Sequence, residues 1–145
     1  MKFTANEPLG HCMGRTTRAM GRMLQGIFVK AGYNITIEQW AIIVNLIRND
    51  GQFQQQLADN TFKDKASVTR MIASLQKQGV VKRTPDPVDR RQKRVFLTDI
   101  GRELFESLKP LAIQAQNRAT RDVTAKDIER FKDMLVKIHE NINGS

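Results

Sequence analysis

The sequence predicts a mainly α-helical fold that carries one small β-hairpin, and three observations predict it. Apolar residues recur at helical spacing along most of the 145 residues, one stretch after Gly79 changes to an extended pattern, and the excess charge is concentrated around that stretch. Residues 61 to 94 hold 10 basic and 3 acidic side chains, against 6 and 4 in residues 1 to 60 and 8 and 8 in residues 95 to 145, so most of the net charge of +9 falls within 34 residues. A uniformly basic surface would spread that excess along the chain. Its concentration is the footprint expected of an element that contacts phosphates.

The length suits one domain, 1–145, able to bury roughly 68–70% of its unfolded surface. Apolar residues at 40% and charged ones at 27% match a folded globular chain. No run approaches the roughly 18 apolar residues of a membrane span, and MKFTANEPLG lacks the apolar core of a signal peptide, so the expected location is cytoplasmic, away from membranes. Cys12 stands alone and has only His11 and His139 for company, which excludes an internal disulfide and leaves no ligand set for a metal. No cofactor is expected, and the fold must rest on packing.

From Leu9, the residues Met13, Met20, Leu24, Ile27 and Phe28 follow at spacings of about three, four or seven, reading as a long amphipathic helix up to Ala31 that Gly32 ends. Thr36 can cap the next helix, with Gln39 as the reciprocal half of a capping box and Ile35 with Trp40 as a hydrophobic staple. That helix carries Trp40, Ile43, Val44 and Ile47 inward and stops at Asn49-Asp50-Gly51. Phe53 to Asp59 is enough for about two helical turns, and a short turn follows it. Asp64 then caps a helix running to Gln78, with Gly79 as the residue that accepts a left-handed backbone. Wound at about 100° per residue, this helix places Val68, Met71, Ile72 and Leu75 on one face and Ala66, Arg70, Ala73 and Lys77 on the other, with Ser67 and Thr69 on the flanks. The outer face is small, hydroxylic and basic, and no acid stands on it.

Val80 to Arg83 and Arg94 to Leu97 are short strands expected to pair as the hairpin. Pro85 and Pro87 keep the linker between them irregular, while Arg90, Arg91, Lys93 and Arg94 make its far limb strongly cationic. Thr98 caps a long helix with the stripe Ile100, Leu104, Leu108, Leu111 and Ala115, expected to bend at Pro110. Thr124 opens the last helix, whose stripe is Ile128, Phe131, Leu135, Ile138 and Ile142.

A short helix, a turn, a second helix with a basic outer face and then a basic hairpin make a winged helix-turn-helix, here residues 35–98. The second helix can enter a major groove about 12 Å wide, with its N-terminal half nearest the base edges. Lys65, Ala66, Ser67, Thr69 and Arg70 are the candidate readers. Arg70 can form a bidentate contact with guanine, Ser67 and Thr69 can meet a base or a phosphate, and Ala66 permits close approach or touches a thymine methyl. Lys77 at the far end suits a backbone phosphate. The wing side chains Arg90, Arg91, Lys93 and Arg94 are candidates for a minor groove, where narrow A·T tracts attract arginine. Asp89 would repel phosphates, so its expected role is to pair with Arg91 and orient that guanidinium.

These residues carry a resemblance. Ile35-Thr36-x-x-Gln39-Trp40, Leu57-Ala58, Asp64-Lys65-Ala66-Ser67-Val68-Thr69-Arg70, Leu75-x-x-x-Gly79-Val80-Val81-x-Arg83, Asp86-Pro87-x-Asp89-x-Arg91 and Leu97-Thr98-x-x-Gly101, in that order, resemble the core of the MarR (multiple-antibiotic-resistance regulator) family of bacterial transcription factors. The resemblance implies a homodimer on pseudo-palindromic operator DNA, usually a repressor and often released by a small aromatic or anionic effector. It carries the family's paired wing Asp and Arg onto Asp89 and Arg91, and its recognition contacts onto Lys65, Ala66, Ser67, Thr69 and Arg70. Independently, the amphipathic helices at 9–31 and 99–142 have more apolar stripe than a reader of about 65 residues could cover, which predicts dimerisation helices. A two-fold dimer would present half-sites about 10 base pairs apart.

Rival functions find less support. There is no GxGxxG or GxxxxGK[ST] phosphate loop and no HExxH, and Glu103 with Glu106 stand among solvent-type neighbours, so an enzyme is not expected. An architectural or RNA-binding protein is the second alternative, yet residues 63 to 94 contain no aromatic platform for unstacked bases. A third is a peroxide-sensing regulator using Cys12, which lacks a second cysteine to resolve it. Trp40, Met13 and Met20 are conceivable effector-lining residues but ordinary core material, so no effector site is assigned.

Overall fold

The computed structural model describes residues 2–61 and 64–144. Helix α1 (Leu9–Lys30) leads to α2 (Ile37–Arg48), strand β1 (Gln52–Phe53), α3 (Gln54–Thr61), α4 (Lys65–Lys77), β2 (Val81–Pro85), β3 (Lys93–Leu97), α5 (Asp99–Ala119) and α6 (Ala125–Asn143). The expected turn between α3 and α4 falls on residues 62 and 63, which lie outside the described residues.

Local chemistry sets the helix ends. Thr36 Oγ1 accepts from the Gln39 amide and Gln39 Oε1 accepts from the Thr36 amide, both at 3.1 Å, completing the capping box. Asp64, Thr98 and Thr124 each accept from the amide three residues on, at the starts of α4, α5 and α6. Gly79 takes φ 76° after α4, where a side chain would be strained.

The sheet has one strand more than the expected hairpin. Its order is β1-β3-β2, all antiparallel, with Val81 opposite Leu97, Pro85 opposite Lys93 and Gln52 opposite Val95. Phe53, expected to open a helix, is the second residue of β1 instead, because β3 offers a free edge there. Pro85 ends β2 rather than lying in the loop; β2 is an edge strand, where a missing amide is tolerated.

The core is centred on α2. Ile42, Ile43 and Leu46 are fully buried against Leu57, Val68, Ile72 and Leu75, with Val95 and Leu97 from the sheet below. The α2 stripe is thus rotated from the expected one: Ile42 and Leu46 are buried and Val44 is only half-buried, since α2 is packed by α3 and α4 as well as by α1 and α5. Ile100 on α5 is exposed, and Phe105 takes an inward place beside Leu104 and Leu108. Pro110 lies within α5, where water can serve the exposed Glu106 carbonyl that has lost its helical donor. Gly101 is needed because a Cβ there would strike the Val80 carbonyl, which lets α5 start directly against β2.

Gln25 joins α1 to α2, donating to the Ile35 carbonyl and accepting from the Ile37 amide, each at 2.9 Å. Buried Gln52 donates to the carbonyls of Asn45 and Asn49 and accepts from Asn60 Nδ2, serving the C-terminal end of α2. Among the described residues no buried side-chain polar atom lacks a partner. Helix α6 has no buried residue.

Candidate nucleic-acid interface

Helix α4 buries Val68, Ile72 and Leu75 and leaves Lys65, Ala66, Arg70 and Lys77 exposed, with Ser67 and Thr69 half-buried between. Its start is tightly determined. Asp64 accepts from the Ser67 amide at 2.8 Å and from the Ser67 hydroxyl at 2.6 Å, and Arg70 Nη2 donates to Ser67 Oγ at 3.2 Å. The Ser67 hydroxyl and then its amide hold the Asp64 carboxyl below the ordinary carboxylate value. A chain of polar contacts therefore runs from the cap to Arg70 and limits where its guanidinium can reach. Lys77 lies 12 residues beyond Lys65, about 18 Å along the axis, too far to share one contact point.

The wing has two parts with different tasks. At its base, Asp86 is almost wholly buried and accepts from Arg94 Nε at 2.8 Å and from the amides of Asp89 and Val88 at 3.0 and 3.2 Å. The Asp89 amide first, and the Arg94 guanidinium second, hold its carboxyl below the ordinary value. Arg94 also donates to the Gly51 carbonyl at 3.0 Å and lies 4.2 Å from the centre of the Phe53 ring. Three interactions thus turn the Arg94 guanidinium toward β1 and the loop base. At the tip, Asp89 Oδ1 accepts from both the amide and Nε of Arg91, at 3.1 and 3.2 Å, while the Arg91 side chain remains 92% exposed. Arg90 and Lys93 are exposed beside it.

Lys65, Arg91 and Lys93 meet around a cleft of about 450 Å³ closed by Phe53 and the three glutamines Gln54, Gln55 and Gln56. The first turns of α3 and α4 and the wing share this cleft, which gathers cations from two elements. Such a surface suits a polyanion whose phosphates run between the wing and the helix pair. Among the described residues no group of three or more His, Cys, Asp or Glu could hold a metal ion, and no helix is long and apolar enough to cross a membrane.

This architecture has known counterparts. A sequence model of the MarR family matches residues 33–92. The HTH-type transcriptional regulator YdgJ of Bacillus subtilis, itself uncharacterised, is 30% identical over 119 residues, 82% of this chain and 73% of that protein. The chain belongs to the MarR family. It is a DNA-binding transcriptional regulator, and its relatives are regulators rather than enzymes. Among solved structures, a mutant MarR from E. coli complexed with operator DNA superposes with a TM-score of 0.82 at 24% identity, covering 90% of this chain and 93% of that one. BpsR of Bordetella bronchiseptica, whose regulation of DNA binding by 6-hydroxynicotinic acid is described, superposes at 0.83 with 22% identity, over 97% and 99%.

Set on this MarR-family fold, two residues enter the interface that sequence reading passed over. Gln54, at the start of α3, donates to Thr69 Oγ1 at 3.3 Å, and Arg83 on β2 donates to Gln54 Oε1 at 3.3 Å and to Gln76 Oε1 at 2.8 Å. Residues 29 apart leave no periodic signal of such a contact. The run Gln54-Gln55-Gln56 opening a short helix was the available hint. Met20 and Trp40 line a separate crevice of about 250 Å³ between α1, α2 and α5, whereas Met13 lies elsewhere, against α6. Trp40 stacks on Phe105 at 5.4 Å and meets Phe28 edge-on at 5.7 Å, which accounts for it as core.

Proposed function

We propose that this chain is a homodimeric repressor that grips a pseudo-palindromic operator with two copies of the 35–98 reader and is released by a small aromatic or anionic effector. The observation that carries the reading is the acid-free outer face of α4 standing beside a wing whose exposed cations project from a pinned base. In it, Lys65, Ala66, Ser67, Thr69 and Arg70 approach base edges and Lys77 a phosphate. Arg90, Arg91 and Lys93 reach the adjacent minor groove, with Asp89 steering Arg91, and Arg94 acts by holding the wing in place.

The dimer is supported by helices 9–31 and 99–142. Phe131, Met134, Val136 and Ile142 of α6 are all about half or more exposed in the single chain, as are Leu9 and Val29 of α1. So much exposed apolar side chain on two helices suits a partner, and a second copy supplies the same helices in return. Release by an effector is supported by the crevice beside Trp40, which touches both α2 of the reader and the terminal helices, and by the regulation of BpsR by an aromatic acid. A protein acting on the bacterial chromosome works in the cytoplasm.

Selection of bound duplexes from a random pool tests this directly. The expected product is a two-fold related pair of half-sites bound by a particle of two chains, and addition of aromatic acids should release it. A pool that stays random, or a complex containing one chain, would contradict the reading.

A further inference from the structure

The contacts around Thr69 assign its hydrogen-bond polarity. A hydroxyl has one proton and two lone pairs. The Thr69 proton goes to the Lys65 carbonyl at 2.8 Å. One lone pair receives Gln54 Nε2 at 3.3 Å. Which end of the Gln54 amide faces Thr69 is settled by its other neighbour: the guanidinium of Arg83, 3.3 Å away, can only donate, so it must face the amide oxygen and leave the NH₂ for Thr69. Arg83 is in turn held by Gln76 of α4 at 2.8 Å. A line of fixed polarity thus runs from β2 through α3 to the recognition helix.

Resting on the operator-reading function above, we propose that Thr69 is an acceptor-only reader, its proton held by the Lys65 carbonyl and one lone pair by Gln54, with Gln54 and Arg83 as residues that position the hydroxyl. The one lone pair left on its hydroxyl can receive a base amino group and cannot donate. In the major groove that selects adenine, through N6, or cytosine, through N4, and rejects guanine and thymine, which present O6 with N7 and O4 there. Arg70, which can only donate, selects guanine at its own position, so the helix carries an obligate donor and an obligate acceptor side by side.

The test compares operators selected from a random pool by the wild-type protein and by Thr69→Val and Gln54→Leu, with thermal unfolding to confirm that each variant folds. The wild type should favour adenine or cytosine by about three- to tenfold at one position of each half-site, the worth of a single net hydrogen bond. Thr69→Val should flatten that position alone. Gln54→Leu leaves the proton on the Lys65 carbonyl but removes the donor that fixes the hydroxyl from the α3 side, so the preference for adenine or cytosine should weaken at that position and at no other. Should Gln54→Leu be unstable, Arg83→Met removes the amide's orienting donor and should broaden that position too. A wild-type preference for thymine or guanine at the position Thr69→Val alters, or Gln54 and Arg83 variants that weaken binding evenly across all positions, would overturn the assignment. A wild-type protein that selects no operator would instead refute the function on which it rests.

Discussion

The reader, from Ile35 to Thr98, and the helices on either side of it are built from the same residue types and use them oppositely. The 15 residues of the buried core cluster include only Phe28 and Leu108 from the terminal helices; the others lie within the reader and close on one another. Helix α6 is as amphipathic as any in the chain, yet it buries none of its residues. The reader therefore holds most of the buried core, whereas α6 and the outer faces of α1 and α5 carry apolar surface that becomes stabilising only when another molecule covers it. Polar residues divide in the same way. Gln39, Gln52 and Asp86 are buried and hydrogen-bonded in the reader, and the excess of basic over acidic side chains is concentrated there as well.

The largest effect that would sharpen this contrast is in the core. Ile72→Ala removes a fully buried side chain between α2, α4 and the sheet and should cost about 2–5 kcal/mol in denaturant unfolding. Phe131→Ser on α6 should leave reader stability nearly unchanged but raise the dimer dissociation constant about tenfold or more, some 1.4 kcal/mol, by sedimentation. An Phe131→Ser protein that unfolds as a weakened monomer with unaltered association would break the comparison.

Within the reader, the exposed cations differ from the pinned ones. Arg70→Ala should weaken operator binding by about 1–3 kcal/mol and relax one base position, without a matching loss on random duplex. Arg91→Ala should lower the slope of log affinity against log salt by about 0.9 if its guanidinium replaces a counterion; Arg94→Ala should leave the slope nearly unaltered and loosen the wing instead. Asp86 supplies the smallest effect and a pH test. Its carboxyl is held below the ordinary value of 3.8, so its contribution is complete above that value and is lost as pH falls through the lower, folded one. Wing amides should thus keep their hydrogen-exchange protection at pH 5 and lose it before the reader core as pH drops below about 3.8.

How much of this was legible in the sequence follows from the range of each interaction. Caps at Thr36, Asp64, Thr98 and Thr124 act across three residues and could be read directly, and so could the hairpin, the charge concentration and the Asp89–Arg91 pair two residues apart. Strand β1 could not, since two residues carry no period and Gln52 and Phe53 become a strand only because β3 lies alongside. The inward turn of Arg94 depends on Gly51, 43 residues earlier, so the sequence shows its charge but not its employment. Ile42 and Leu46 escaped because a helix packed on several sides has no single stripe to detect.

The central claim is that α4 lies in a major groove, twice per dimer, with the wing beside it. Methylation interference at guanine N7 on a selected operator tests it most directly, because N7 lies on the floor of that groove. The expected result is two clusters of interference related by two-fold symmetry and centred about 10 base pairs apart, with one guanine in each becoming insensitive in Arg70→Ala. Interference absent from both half-sites, or unaltered by that substitution, would contradict the account.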